Sequence, residues 1–267
     1  MMTGQYSDSV SVELAEAVAT IRLNRPERLN TLNEYLLRNL KLALDACATE
    51  SAVRAVLLTG EGKAFCAGQD LADRDPRKVA FPLDLEAIQK EFYHPIVRSM
   101  TEMPKPVVVA LNGIAAGAGV GIALAGDIVL AGQSARLIFS FVKVGLSVDA
   151  GLGWHLVKTL GPARARALSM TGADIPAEEA ERLGLIFRCV DDGILFDEAR
   201  ELAAKLAAGP SAAIAAIKQS IAAASGGLSF ESYLAEEAAN QGKAGASPDY
   251  AEGVLAFLEK RPPDFSA

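Results

Sequence analysis

Residues 107–121 read VVVALNGIAAGAGVG, and this stretch limits the possible folds more than any other. The β-branched run Val107-Val108-Val109 predicts a short buried strand. The residues after it carry almost no side chain. Gly113, Gly117, Gly119 and Gly121 allow the backbone to pass close to another body. An apolar helix is expected to start inside this run, over about 117–125. The first amides of a helix have no internal partner. They offer donors to an oxygen that is gaining negative charge. By itself the stretch fits a tightly packed strand-to-helix turn equally well.

The chain has 267 residues, 51% of them hydrophobic and 22% charged, enough for one sizeable core with or without an appendage. A net charge of −7 provides no basic face, so nucleic acid is not an expected partner. Local Lys and Arg residues can still hold an anionic ligand. Three widely spaced cysteines, Cys47, Cys66 and Cys189, form no disulfide framework and fit a reducing, cytoplasmic setting. With only His94 and His155, a His-based metal site is not expected. The first ten residues, MMTGQYSDSV, lack the apolar core of a signal peptide. No apolar run reaches the ~20 residues that a bilayer span requires, so no membrane association is expected.

Strands are expected over 10–14 and 17–23, with a turn at Ala15-Glu16. A helix follows over 33–47, where Leu36, Leu40, Leu44 and Cys47 form one stripe. A strand over 53–58 runs into a second small-residue loop, GEGKAFCAGQDL, at 60–71. Residues 83–102 are helical by pattern, with Pro95 interrupting or restarting the helix. Short strands at 127–131 and 136–139 precede a third Gly-rich loop over 144–156, which leads into a helix. From about 195 only helices are expected, over 195–207, 211–224, 229–242 and 248–259, with Ser211 and Ser229 as N-caps. Strands alternating with helices predict an α/β core over 1–195 and a helical region over 196–267.

Five segments carry a family resemblance: NRPERLNTLN at 24–33, GKAFCAGQDL at 62–71, KPVVVALNGIAAGAGVGIALAGDIVLA at 105–131, FVKVGLSVDAGLGWHL at 141–156 and SPDYAEGVLAFLEKRPPDF at 247–265. The chain resembles the crotonase superfamily, the enoyl-CoA hydratase/isomerase family. The last two segments most resemble its branch that opens the ring-epoxide of phenylacetyl-CoA and shifts double bonds in enoyl-CoA thioesters. The resemblance implies a crotonase fold: a spiral of strand-strand-helix turns followed by a helical C-terminal region. It also implies a homo-oligomer, a trimer or dimer of trimers. No cofactor or metal is implied, since coenzyme A enters as part of the acyl-CoA substrate.

The resemblance further implies that two backbone N–H groups, of Gln69 and Ala118, hold the thioester oxygen. Ala67, Gly68 and Gly117 keep those amides accessible. The glutamate pair of the family's hydratases is missing, because its positions hold Gly121 and Phe141. The proton-transfer role then falls to Asp149, where a lone carboxylate suits an isomerase. Burial against an acyl pocket is expected to raise its pKa. A helix N-cap is the plain alternative for Asp149. His94 matches a histidine of an aryl-CoA dehalogenase branch and is a secondary catalytic candidate. Asp70 is expected to brace its loop. Arg28, Leu29, Ala64 and Leu71 match positions that contact the CoA nucleotide, and Phe257 and Lys260 match positions that reach a neighbouring subunit's CoA. Three rivals stay open: a hydratase, a dehalogenase-like enzyme and a catalytically idle acyl-CoA binder.

Overall fold

The structure, a computed structural model, describes residues 4–265. An antiparallel meander opens the chain: β1 (Gly4–Ser7), β2 (Val10–Ala15) and β3 (Val18–Leu23). The β2–β3 turn lies at Glu16-Ala17, one residue later than expected. Both residues take left-handed φ values, 51° and 60°, the geometry of a two-residue hairpin that matches strand twist. Helix α1 (Glu34–Thr49) follows, with the Asn33 side chain accepting the Leu36 N–H at 2.8 Å.

The chain then repeats one move. β4 (Ala55–Gly60) leads to β5 (Ala64–Cys66), β6 (Val107–Leu111) to β7 (Ile114–Ala116), and β8 (Ile128–Gly132) to β9 (Arg136–Ile138). The first strand of each pair joins a seven-stranded sheet of order β1-β2-β3-β4-β6-β8-β11. The second joins a four-stranded sheet of order β10-β9-β7-β5, where β10 is Asp174–Pro176 and β11 is Arg188–Val190. Between β5 and β6 run α2 (Leu85–Ile88), a π-helical turn Gln89–Tyr93 and α3 (His94–Glu102). Pro95 lies in the first turn of α3, where its missing N–H is harmless. α4 (Ala118–Leu124) follows β7, α5 (Leu152–Thr171) follows β9, and α6 (Ala177–Arg182) precedes β11. α5 is kinked at Gly161, which takes φ 74° and ψ 166° just before Pro162.

The large sheet is covered on both faces, which is why VVVAL reads as an unbroken apolar run. One face packs on α1, whose Leu36, Leu40, Leu44 and Cys47 are buried, and on Ile96 and Met100 of α3. The other face, with Leu57, Val108, Ala110 and Leu130, packs on α7 (Leu195–Ala207) through Leu195, Ala199 and Ala203.

Three helices follow: α8 (Ser211–Ser225), α9 (Phe230–Gly245) and α10 (Pro248–Glu259). Ser229 caps α9 as expected. Ser211 does not cap α8: it is the first helical residue, behind Pro210, and no side chain caps that helix. α8 has no fully buried residue, but Lys218 ties it down. Its ammonium donates to the carbonyls of Met100 (2.7 Å) and Lys105 (3.2 Å) and to Asp127 Oδ2 (2.8 Å). No helix among the described residues is long and apolar enough to cross a membrane.

Candidate active site

The loops after β5 and β7 meet, and missing side chains let them meet. A Cβ on Gly68 would lie 2.7 Å from the Ala116 carbonyl oxygen, and one on Gly119 would lie 2.3 Å from that of Cys66. Gly117 takes φ 52° and ψ −125°, a conformation that side chains disfavour strongly.

Each loop presents a free amide. Leu32 donates to the Gly68 carbonyl (2.7 Å) and accepts from the Asp70 N–H (2.9 Å), in a parallel bridge centred on Gln69. The bridge uses the residues on either side of Gln69, so the Gln69 N–H points the other way. Ala118 opens α4, where the first amides lack helical partners. Among the described residues neither the Gln69 nor the Ala118 N–H donates to a backbone or side-chain acceptor.

The first loop is braced from below. Arg25 donates to the Thr31 carbonyl (2.6 Å) and to Asp70 Oδ2 (3.1 Å). The Thr31 hydroxyl (3.2 Å) and the Ala72 N–H (3.3 Å) also donate to Asp70. Burial pushes the Asp70 carboxyl up, but these donors and the Arg25 charge outweigh it and hold the group below its ordinary range. Asn30, buried and left-handed (φ 54°), accepts the Arg25 N–H and donates to the carbonyls of Glu61 and Ala64. The Gln69 side-chain oxygen accepts from Arg74 Nη2 (2.9 Å) and from the Tyr93 hydroxyl. Burial raises the Tyr93 hydroxyl pKa well above its usual range.

Asp149 lies on the loop before α5. That helix starts after left-handed Gly151 with no side-chain cap, and Leu152 donates to the Asp149 main-chain carbonyl (2.9 Å). The N-cap alternative therefore fails. The Asp149 carboxylate instead faces the π turn, where Gln89 Nε2 donates to Oδ2 at 2.7 Å. Its Oδ1 is buried without a partner. Burial pushes this carboxyl up to about 6, against the opposing pull of the Gln89 bond and the Arg74 charge.

The positions without a carboxylate are packed shut. A Cβ on Gly121 would fall 2.8 Å from the Ala150 Cβ. Phe141 is buried, and its ring lies about 3.9 Å from where a Gly117 Cβ would stand. Cys66, buried beside Gly119, has its thiol pushed up to about 12 by burial, which leaves it un-ionised near neutral pH.

Of the residues singled out from sequence, Leu29, Ala67, Gly68, Asp70 and Leu71 do come together, with the Ala67 N–H donating to the Leu29 carbonyl (3.0 Å). Arg28 and Leu29 are exposed on a short 3-10 turn, and Ala64 is buried in β5. His94 is exposed at the start of α3, where it lines a cavity of about 700 Å3 with Arg98, Trp154, His155 and Lys158. Phe257 and Lys260 lie on and just after α10, away from both loops within the chain. Sequence reasoning missed Arg25, Asn30, Arg74, Gln89 and Tyr93. Gln89 and Tyr93 directly follow Ile88 and Phe92, two apolar residues within the 83–102 helical pattern, and that adjacency was the available signal.

Known proteins resemble this chain across nearly its whole length. The enoyl-CoA hydratase/isomerase family pattern matches residues 13–267. The 1,2-epoxyphenylacetyl-CoA isomerase of Escherichia coli is 43% identical over 251 residues, covering 94% of this chain and 95% of its own. A Rhodobacter capsulatus protein named "Probable enoyl-CoA hydratase" is 45% identical over 260 residues, covering 97% and 98%. The solved structure of an enoyl-CoA hydratase from Mycobacterium smegmatis superposes with a TM-score of 0.87 at 31% identity, covering 98% of this chain and all of its own. The chain has the crotonase fold and belongs to the enoyl-CoA hydratase/isomerase family.

Proposed function

We propose that this enzyme is an acyl-CoA isomerase that moves a proton beside a thioester enolate. The carrying observation is the raised, half-buried Asp149 carboxyl with its bare Oδ1, in a site whose hydratase glutamate positions hold Gly121 and Phe141. The Gln69 and Ala118 amides hold the thioester oxygen as it gains charge, and fixed main-chain donors do this without reorganising. Asp149 Oδ1 takes a proton from the carbon α or γ to the thioester. The same carboxyl returns it to the other carbon, and the double bond moves. A carboxyl near pH 6 suits both steps, being basic enough to accept and acidic enough to donate. The 43% identical isomerase supports this chemistry and makes a ring-epoxide of phenylacetyl-CoA a substrate worth testing.

Coenzyme A enters with the substrate. Exposed Arg28 and Leu29 are its proposed contacts, joined by Phe257 and Lys260 from a neighbouring copy in a homo-oligomer. Phe257 is 83% exposed in the single chain. The 45% identical relative, by its name, favours hydration as the second reading.

Incubation with a 3-enoyl-CoA, a 2-enoyl-CoA and the ring-epoxide thioester in deuterated water separates the two. Double-bond migration or oxepin formation, lost in Asp149→Asn while CoA binding persists, is the expected result. Full activity in Asp149→Asn would sink the assignment, and hydration without isomerisation would favour the rival.

A further inference from the structure

We propose that Gln89 is the positioning residue of the proton carrier: its amide pins Asp149 Oδ2 and leaves Oδ1 as the one oxygen that takes and returns the proton. The proposal rests on Asp149 being that carrier. Among the described residues three buried side-chain polar atoms lack a partner, and two of them, Asp149 Oδ1 and Gln89 Oε1, belong to this hydrogen-bonded pair. The third, Arg54 Nε, belongs to a guanidinium bound to the carbonyls of Gly209 and Phe265. Two bare acceptors on one hydrogen-bonded pair call for a physical account.

The need for such a residue is physical. A half-buried carboxylate gains hydration by swinging outward, and one strong charge-assisted bond opposes that swing. An amide supplies the bond at every working pH because it does not titrate. It also makes the two carboxylate oxygens unequal, since Oδ2 is occupied and Oδ1 is not. After abstraction the new Oδ1–H is a donor, and Gln89 Oε1 is an acceptor still without a partner. The other group that acts on Asp149 is the Arg74 guanidinium, from the turn after β5, while the Asp149 charge in turn helps raise the Tyr93 phenol, on the same π turn as Gln89. Gln89 and Tyr93 lie four residues apart, so one turn of chain holds Asp149 through the first and Gln69 through the second. Residues spaced this way share a side of a helix.

The test compares the full-length enzyme with Gln89→Leu and with Gln89→Glu, which keeps the shape but replaces the amide donor with a second carboxyl. kcat and KM for a 3-enoyl-CoA are followed against pH. Carbon-13 NMR of labelled aspartate, assigned with Asp149→Asn, follows the carboxyl titration without substrate. Gln89→Leu is expected to lower kcat roughly 10- to 100-fold with KM within about threefold. Its Asp149 midpoint should rise, because the lost bond favoured the ionised form. Gln89→Glu should raise the midpoint further through like charge. A midpoint that stays put in both variants overturns the proposal, and so does a shifted midpoint with unchanged kcat. Full activity in Asp149→Asn removes the assignment of the carrier instead, while the NMR titration still reports whether Gln89 holds that carboxyl.

Discussion

Ala150 stands where a side chain at position 121 would have to go: a Cβ on Gly121 lies 2.8 Å from the Ala150 Cβ and 2.7 Å from the Ala150 carbonyl oxygen. The missing glutamate is thus a packing relationship, in which the Asp149 loop fills the space. Restoring the carboxylate by substitution would not restore its setting. Gly121→Ala should already destabilise the protein by about 1–3 kcal/mol through overpacking. Gly121→Glu should cost more and gain no hydration activity. Denaturant midpoints and a 2-enoyl-CoA hydration assay check both.

Asp149 should trade stability for activity. Its folded pKa of about 6 lies above the ordinary 3.8, so between those values the folded protein keeps a proton that the unfolded chain has lost. Stability therefore falls as pH rises through that window. Asp149→Asn escapes the penalty. Its stability advantage should be near zero at pH 4 and reach roughly 1–3 kcal/mol above pH 6, after allowing for partial solvent screening. Isomerisation by the unsubstituted enzyme should rise over the same window, as the base ionises. Thermal melts and rate profiles from pH 4 to 8 test both halves.

Gly68→Ala should empty the site without unfolding the core. The added methyl meets the Ala116 carbonyl oxygen at 2.7 Å, and residue 68 sits at φ 86°. The strain, about 1–3 kcal/mol, falls on the contact between the two loops. Loss of turnover with native far-UV circular dichroism is the expected outcome, and wild-type turnover would contradict it.

Arg25→Leu should loosen the Gln69 loop by leaving Asp70 charged, buried and short of its main donor. Removing one partner of a buried pair costs about 3–5 kcal/mol. The loss should shrink as pH falls through the Asp70 titration, since its depressed carboxyl stabilises the fold only while ionised. Pairing Arg25→Leu with Asp70→Asn should recover part of the loss, which a double-mutant cycle in urea would measure.

Lys218→Met should detach α8. Lys218 and Asp127 form a partly shielded ion pair at 2.8 Å, and Asp127 also accepts the Val107 N–H (2.8 Å). Burial raises the Asp127 carboxyl and lowers the Lys218 amine, each offset by the other's charge. Without the lysine, Asp127 loses its counter-charge. Faster amide exchange confined to α8 is the expected signature.

The elements with many periodic residues were legible in sequence. The α1 stripe of Leu36, Leu40, Leu44 and Cys47 is buried as read, and β6 occupies the apolar run at 107–111. β5 and β7 have three residues each, too few for any period to register. Which arginine of NRPERLN turns inward was not legible either. The 3-10 turn and the left-handed Leu29-Asn30 pair face Arg25 to Asp70 and leave Arg28 in solvent. The Gln89–Asp149 bond spans 60 residues, a distance at which local pattern carries no signal.

The two unpartnered amides also limit what mutation can reach. A main-chain N–H is carried by every residue type except proline, so hardly any codon change at 69 or 118 deletes it. A donor on a side chain would be lost by most changes. The proposed cradle for an anionic oxygen would thus be heritable almost independently of the residues that form it. Under the proposed function, variation can then fall on positions such as 121, 141 and 149, where a change of residue would be a change of chemistry.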